Sequence, residues 1–206
     1  IGPGYGALTD FIIKNNPKKI ILIEKDYEIF NFLSEKYKNK KNIILINDDF
    51  LNVDINKVPK SIVISNLPYN VGTKIILKLL KSNNKISEII CMIQKEVALK
   101  FDYKRSKINK YKFYSKITSD YEIFFNVSPN SFYPKPKVHS SVVKFRLNKN
   151  KIDWYKLETF TSLIFKNLRK KIGNNISIND ESINYLLNKR LNEITIRDLI
   201  KIYNFF

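Results

Sequence analysis

Apolar residues along this chain gather in short β-branched runs separated by amphipathic stretches. Lys18 to Glu24 (Lys-Lys-Ile-Ile-Leu-Ile-Glu), Asn42 to Ile46, Ser61 to Ser65 (Ser-Ile-Val-Ile-Ser) and Ile86 to Ile93 each read as a strand. Runs that are apolar at successive positions suit strands covered on both faces of a parallel sheet. Between them the spacing becomes helical. Helices are predicted over Ala7 to about Asn15, from an Asp26 cap through about Tyr37 with Ile29, Phe30 and Leu33 on one face, and over Thr73 to Leu80. Strand and helix alternate at least four times, the pattern of a doubly wound α/β sheet.

The pattern changes after Ile93. Lys104 to Lys112 is polar and basic with few apolar anchors, and is predicted as a loop. Tyr121 to Val127 and Val138 to Phe145 are predicted as two strands at the sheet's edge, joined by the Pro-rich stretch Ser128 to Lys137. Asn148-Lys149-Asn150-Lys151 makes a polar break. From Trp154 the spacing is helical, with Leu157, Phe160, Leu163, Ile164 and Leu168 on one face and further helices at Tyr185 to Leu187 and Ile194 to Tyr203. Two domains are expected: an α/β domain over residues 1–147 and a small all-helical domain over 148–206. No apolar run reaches the ~18–20 residues that cross a bilayer.

Composition narrows the chemistry. Of 206 residues, 44% are hydrophobic, enough for a folded core. One Cys and one His exclude a disulfide within the chain and a zinc site of the Cys/His type, and no metal is expected. A Cys-His pair requires Cys91 to meet His139, and a catalytic triad requires His139. The net charge, 37 − 19 = +18, favours a polyanionic partner. The basic residues are spread widely rather than set on one amphipathic helix, which favours nucleic acid over a membrane surface. Lys, Asn, Ile, Tyr and Phe have A/T-rich codons, so genome base composition competes with function as the source of the Lys excess.

In an open α/β sheet, ligands bind outside the carboxyl ends of the strands. Ile1 opens directly on the turn Gly2-Pro3-Gly4-Tyr5-Gly6, so a first strand is expected to precede it. Counting that strand, Glu24 ends the second, Asp49 follows the third and Asn66 follows the fourth. Glycines permit close backbone approach to a ligand. An acid about 20 residues past the turn suits paired ribose hydroxyls, and an acid after the third strand can accept from an adenine amino group. The turn lacks the Gly-Lys-Ser/Thr of a phosphate-cradling loop and the Gly-x-Gly-x-x-Gly of dinucleotide sites. A cofactor with an adenosine but no pyrophosphate fits best, which points to S-adenosylmethionine.

Asn66-Leu67-Pro68-Tyr69 carries the reacting groups. The lone pair of an adenine N6 is delocalised into the ring, so methyl transfer to it needs the amine held in line with the sulfonium carbon. The Asn66 side-chain oxygen and a backbone carbonyl of the Leu67-Pro68 turn can each accept one N6–H and stabilise developing positive charge. Pro68 fixes the turn, and Tyr69 offers a flat face for a flipped-out base. No general base is required.

These residues resemble the KsgA-type rRNA adenine N6,N6-dimethyltransferases. Ile1 to Thr9 looks like that family's cofactor loop, Ile23-Glu24-Lys25-Asp26 like its ribose-binding strand end, and Asp49-Phe50-Leu51 like its adenine-contacting segment. Asn66-Leu67-Pro68-Tyr69-Asn70 matches its catalytic motif, while Gln94 to Ala98 and Phe132 to Ser140 match later signatures. The resemblance implies a Rossmann-like sheet, S-adenosylmethionine held at Gly2, Gly4, Glu24, Asp49, Phe50 and Asn66, and Phe132 packed on the target adenine opposite Tyr69. It also implies dimethylation of two adjacent adenosines in a hairpin near the 3′ end of small-subunit rRNA, within an assembling subunit. From the residues alone, Phe132 reads better as a core contact. The segment from Phe165 to Lys171 resembles the family's basic helix, with Lys166, Arg169, Lys170 and Lys171 set to track RNA phosphates or simply to face solvent. Two alternatives stand beside the main reading. One is a large-subunit resistance methylase, which the tail disfavours; the other is a binding-only, mitochondrial-transcription-factor-like role, which an intact Asn66 motif disfavours. A monomer is expected, in a bacterial cytoplasm or an organelle descended from one.

Overall fold

The computed structural model describes residues 1–105 and 107–206. The predicted β-branched runs form four strands: β1 (Ile20–Glu24), β2 (Ile43–Asn47), β3 (Ser61–Asn66) and β4 (Ile86–Gln94). β1 pairs with β2 in parallel, from Ile20↔Ile43 to Glu24↔Asn47, and β3 pairs with β4 in parallel. The residues joining these pairs are supplied by the N-terminal turn. Gly2 N–H donates to Ile23 O at 2.9 Å, and Ser65 Oγ donates to Ile1 O at 2.5 Å. β1 is almost wholly buried: Ile20, Leu22, Ile23 and Glu24 are buried and Ile21 partly so. β2 is half-exposed, because it pairs only with β1 among the described residues.

The later strands depart from expectation in their order. β5 (Ser119–Val127) and β6 (Ser140–Leu147) are present, but only β5 lies at the edge. β6 inserts antiparallel between β4 and β5, giving the order β3-β4-β6-β5. The Pro-rich connection between β5 and β6 contains no α-helix, and an antiparallel return needs none, whereas a parallel neighbour is usually reached through a crossover helix.

Helices α1 (Ala7–Ile13), α2 (Tyr27–Tyr37) and α3 (Gly72–Leu80) follow the predicted spacing. Asp26 caps α2 by accepting from Glu28 and Ile29 N–H. α3 buries Ile75, Ile76, Leu79 and Leu80 in the main core with Ile89, Cys91, Phe101 and Phe145. Cys91 is enclosed there, and burial pushes its thiol up to about 12. His139 is exposed, so the single Cys and single His do not form a catalytic pair.

Two elements were not expected from sequence: α4 (Lys95–Phe101) and α5 (Lys110–Thr118). The loop predicted over residues 104–112 therefore ends at Asn109, whose side chain caps α5 by accepting from Tyr111 and Lys112 N–H; Ser106 within it lies outside the described residues. α5 holds its helix through Phe113, buried against Phe160 and Tyr203 at ring-centroid distances of 5.4 and 5.6 Å. Those partners lie far along the chain, so local polarity concealed the helix.

α6 (Trp154–Ile164), α7 (Asn184–Leu187) and α8 (Ile196–Phe205) build a second core around Leu157, Phe160, Ile164, Leu199 and Ile202. Phe113 of α5 belongs to it too. α6 stops at Ile164, which corrects the predicted extension of its apolar face to Leu168. Leu168 is exposed, and residues 165–171 form turns rather than a basic helix. No described helix is long and apolar enough to cross a membrane.

Candidate active site

Hydrogen bonds draw the carboxyl ends of β1, β2 and β3 and the glycine turn into one patch. The turn is pinned by Gly2 N–H to Ile23 O and by Ser65 Oγ to Ile1 O. Asp48 N–H donates to Glu24 O at 3.1 Å, and Asn47 Nδ2 to the same oxygen at 2.9 Å. Lys25 Nζ meets Asp49 Oδ2 at 3.1 Å. Gly2, Glu24, Asp49 and Asn66 thus sit on adjoining ends, as the strand-order argument requires.

Gly2 and Gly4 both lie at positive φ, +55° and +53°, and a Cβ built at either meets no protein atom within 4 Å. The space beside this backbone is open, which is what a ligand approaching the main chain needs. Gly6 differs. A Cβ there would fall 2.3 Å from Tyr37 Oη, so this glycine serves packing within the protein. Tyr37 Oη donates to Asp10 Oδ1 at 2.7 Å and contacts Gly6 O at 3.2 Å, while Lys36 Nζ donates to Tyr5 O and Asp10 Oδ2. Lys36, then Tyr37, hold the Asp10 carboxyl below its usual range. This brace from α2 fixes the turn, and nothing local in the sequence announced it.

Glu24 is buried, with Oε1 accepting from Asp26 N–H at 2.9 Å. Asp49 Oδ1 accepts from Leu51 N–H at 2.9 Å; that bond and Lys25 hold its carboxyl low. The ring of Phe50 is buried in the main core. Its loop is held by Lys78 of α3, whose Nζ donates to Phe50 O (3.0 Å), Leu51 O (2.6 Å) and Val53 O (2.7 Å). Burial lowers the Lys78 ammonium, partly offset by Asp54, Asp48 and Asp49. Sequence reading missed Lys78 because its partners are carbonyls, which leave no side-chain signature. Lys78→Met is expected to raise hydrogen exchange at Leu51–Val53 by about 10- to 100-fold, from the loss of charge-assisted bonds. Unchanged protection of those amides, measured by exchange mass spectrometry, would remove the clamp.

Asn66 closes β3 and is exposed, with no hydrogen-bond partner for its side chain among the described residues. Leu67 N–H donates to Met92 O at 3.1 Å, whereas no described donor reaches Leu67 O. Pro68 O is occupied, accepting from Val71 and Gly72 N–H at the start of α3. Of the turn's two carbonyls, Leu67 O is therefore the one without a described donor, on a residue that is itself buried. Tyr69 Oη and Ser140 Oγ are 2.6 Å apart. That bond ties the Asn66 turn to the start of β6 and to the loop bearing Phe132. Phe132 is half-buried and joins none of the described hydrophobic clusters, which weakens the core-contact reading. Lys166, Arg169, Lys170 and Lys171 are all exposed, in turns beyond α6.

Comparison with known proteins decides the family. The model of the ribosomal RNA adenine dimethylases matches residues 1–206. The chain belongs to that family. Among its relatives, the ribosomal RNA small subunit methyltransferase A of Malacoplasma penetrans is 36% identical, covering 94% of this chain and 70% of its own. That of Mesomycoplasma hyopneumoniae is also 36% identical, covering 100% of this chain and 75% of its own. The fold is shared with a dimethyladenosine transferase from Plasmodium falciparum, at TM-score 0.79 and 20% identity over 98% of this chain and 86% of that one. It is shared as closely with the 23S rRNA methyltransferase ErmE, at TM-score 0.78 and 19% identity, covering 98% and 87%. Both likenesses, at 20% and 19% identity, concern the fold alone.

Proposed function

We propose that this methyltransferase dimethylates N6 of two adjacent adenosines in a hairpin near the 3′ end of small-subunit rRNA, using S-adenosylmethionine. One observation carries the reading. Asn66 Oδ1 and Leu67 O are two acceptors without described partners, at a strand end shared with an open glycine turn and a buried Glu24. The small-subunit names of its relatives favour that substrate over the large subunit, and their bacterial sources favour a cytoplasmic setting.

The residues fit the cofactor on this chain's own geometry. Gly2 and Gly4 leave open backbone, Glu24 faces the ribose hydroxyls, and the Asp49–Phe50 loop, anchored by the Phe50 ring and Lys78, faces the adenine. When bound, S-adenosylmethionine supplies an electrophilic methyl on a sulfonium. Asn66 Oδ1 and Leu67 O accept the two N6–H bonds of the target, turning its lone pair toward that methyl and stabilising the charge that develops on nitrogen. Tyr69, with its hydroxyl fixed by Ser140, presents its ring to one face of the base and Phe132 to the other. In each transfer the N–CH3 bond would form as S–CH3 breaks, leaving a thioether, and the protonated N6 would lose its proton to water, so no side-chain base is needed. In the second transfer one N6–H remains for Asn66 Oδ1 or Leu67 O to accept. Residues 1–147 hold this chemistry, and residues 148–206 supply the RNA contacts of Lys166, Arg169, Lys170 and Lys171.

The test incubates the chain with methyl-labelled S-adenosylmethionine and unmethylated small or large ribosomal subunits. Label recovered as N6,N6-dimethyladenosine at two neighbouring small-subunit positions is the expected result. Label confined to the large subunit, or none in either while RNA still binds, would overturn the assignment.

A further inference from the structure

A groove between α4, the segment preceding α5 and the first turn of α5 holds an arrangement that the methyl-transfer site does not use. Its volume is about 430 Å³, with Arg105, Lys107 and Lys112 around an apolar floor of Leu99 and Ile108, and with Lys100 at its edge already paired to Glu96 at 2.9 Å. A second groove of about 480 Å³ shares Leu99 and Arg105 with it and is more mixed in charge, lined by Lys104 and Lys95 but also by Asp102 and Glu122. Lys95 N–H donates to His139 O at 2.9 Å, next to the Ser140 that meets Tyr69. The two grooves adjoin at Leu99 and Arg105, and the second reaches Lys95, whose backbone borders the catalytic edge.

Lys112 distinguishes the first groove from a solvated basic surface. It is 5% exposed, yet among the described residues its ammonium donates only to Arg105 O, at 3.2 Å. No described carboxylate pairs with it. Asp102, the acid that acts on it, is engaged by Arg105 Nε at 3.0 Å and by Lys104 N–H. Burial and the like charges of Arg105 and Lys107 lower the ammonium below the ordinary lysine range. A buried cation with no carboxylate partner among the described residues is costly until an anion meets it. The groove is open, and Lys107 and Arg105 at its rim and Lys104 and Lys95 beyond outnumber the acids Asp102 and Glu122 there, which suits a chain of anions better than a single ion.

We propose that this groove binds the phosphodiester backbone of the RNA strand flanking the target adenosine, with Lys112 as the enclosed ligand of one phosphate and Arg105 and Lys107 at its rim. The proposal rests on the RNA-methylase reading above.

The test measures binding of an unmethylated hairpin RNA against salt for the native chain, Lys107→Ala, Arg105→Ala and Lys112→Met. Lys107→Ala lies on an exposed residue, so it reports even if Lys112→Met fails to fold. Each lost phosphate contact should weaken binding about 3- to 10-fold and lower the log–log salt slope by about 0.7–0.9. Nitrogen NMR of the lysine ammonium groups separates the sources of phosphate. A Lys112 shift with RNA but not with millimolar inorganic phosphate is expected; saturation by inorganic phosphate with no effect of RNA would make this a free-anion site and overturn the proposal. Unchanged slopes in the folded variants, with methylation intact, would sink the groove alone. Failure of the native chain to bind or methylate RNA would sink the underlying reading.

Discussion

Asn66→Ala is expected to lower the methyl-transfer rate by about 10²- to 10³-fold, the scale seen when one preorganised hydrogen-bond partner of a developing charge is removed. The fold should be indifferent to the change. Asn66 is exposed, ends its strand, and has no described side-chain partner to leave stranded, so its loss belongs with surface substitutions worth about 0.5 kcal/mol or less. Binding of cofactor and RNA should also survive, because the acceptor acts on an amine whose charge grows only as the methyl moves. The measurement is single-turnover label transfer to small-subunit rRNA, beside thermal unfolding and separate titrations of both ligands. Transfer within threefold of native would remove Asn66 from the mechanism. A loss fully accounted for by weaker binding would recast it as a binding residue.

Glu24→Gln should act on the other ligand. The native carboxylate spends Oε1 on Asp26 N–H, and the substitution can keep that bond through its amide oxygen while replacing the second oxygen by a donor. Ribose hydroxyls then lose charged acceptors worth about 1.5–3 kcal/mol each, so cofactor affinity should fall by roughly 10- to 100-fold. Hairpin RNA should bind as before. Glu24→Ala should add a structural cost, since Asp26 caps α2 and takes its position partly from this carboxylate. Calorimetric titration with S-adenosylmethionine measures the first effect and thermal unfolding the second. Equal cofactor affinity in native and Glu24→Gln chains would move the ribose elsewhere.

How legible the site was depends on how local its signals are. Glu24, Asp49 and Asn66 could be placed from sequence because each closes a β-branched run, and a run's carboxyl end is defined within five or six residues. Lys78 could not, because it binds backbone carbonyls 25 to 28 positions away. Nor could the brace of Gly6 by Tyr37, which spans 31 positions. Ligand approach and protein packing both call for glycine here, and only coordinates distinguish Gly2 and Gly4, beside open space, from Gly6, beside a tyrosine hydroxyl.

The helices divide in the same way. α2 and α3 carry their own apolar faces and, in α2, their own cap, so spacing alone predicts them. α5 borrows its stability from Phe160 and Tyr203, and residues 165–171 have helical composition but no apolar face to bury once Leu168 turns outward. By itself, then, the sequence determined the alternating α/β class, the strand ends that bear Gly, Glu, Asp and Asn, and the family motifs, because periodicity and spacing are properties of neighbouring residues. The tertiary structure alone decided which carbonyl of the turn lacks a donor, which strand lies at the sheet's edge, that α5 is held as a helix, and that Lys112 is buried beside a largely basic groove, because each depends on packing that the local sequence does not announce.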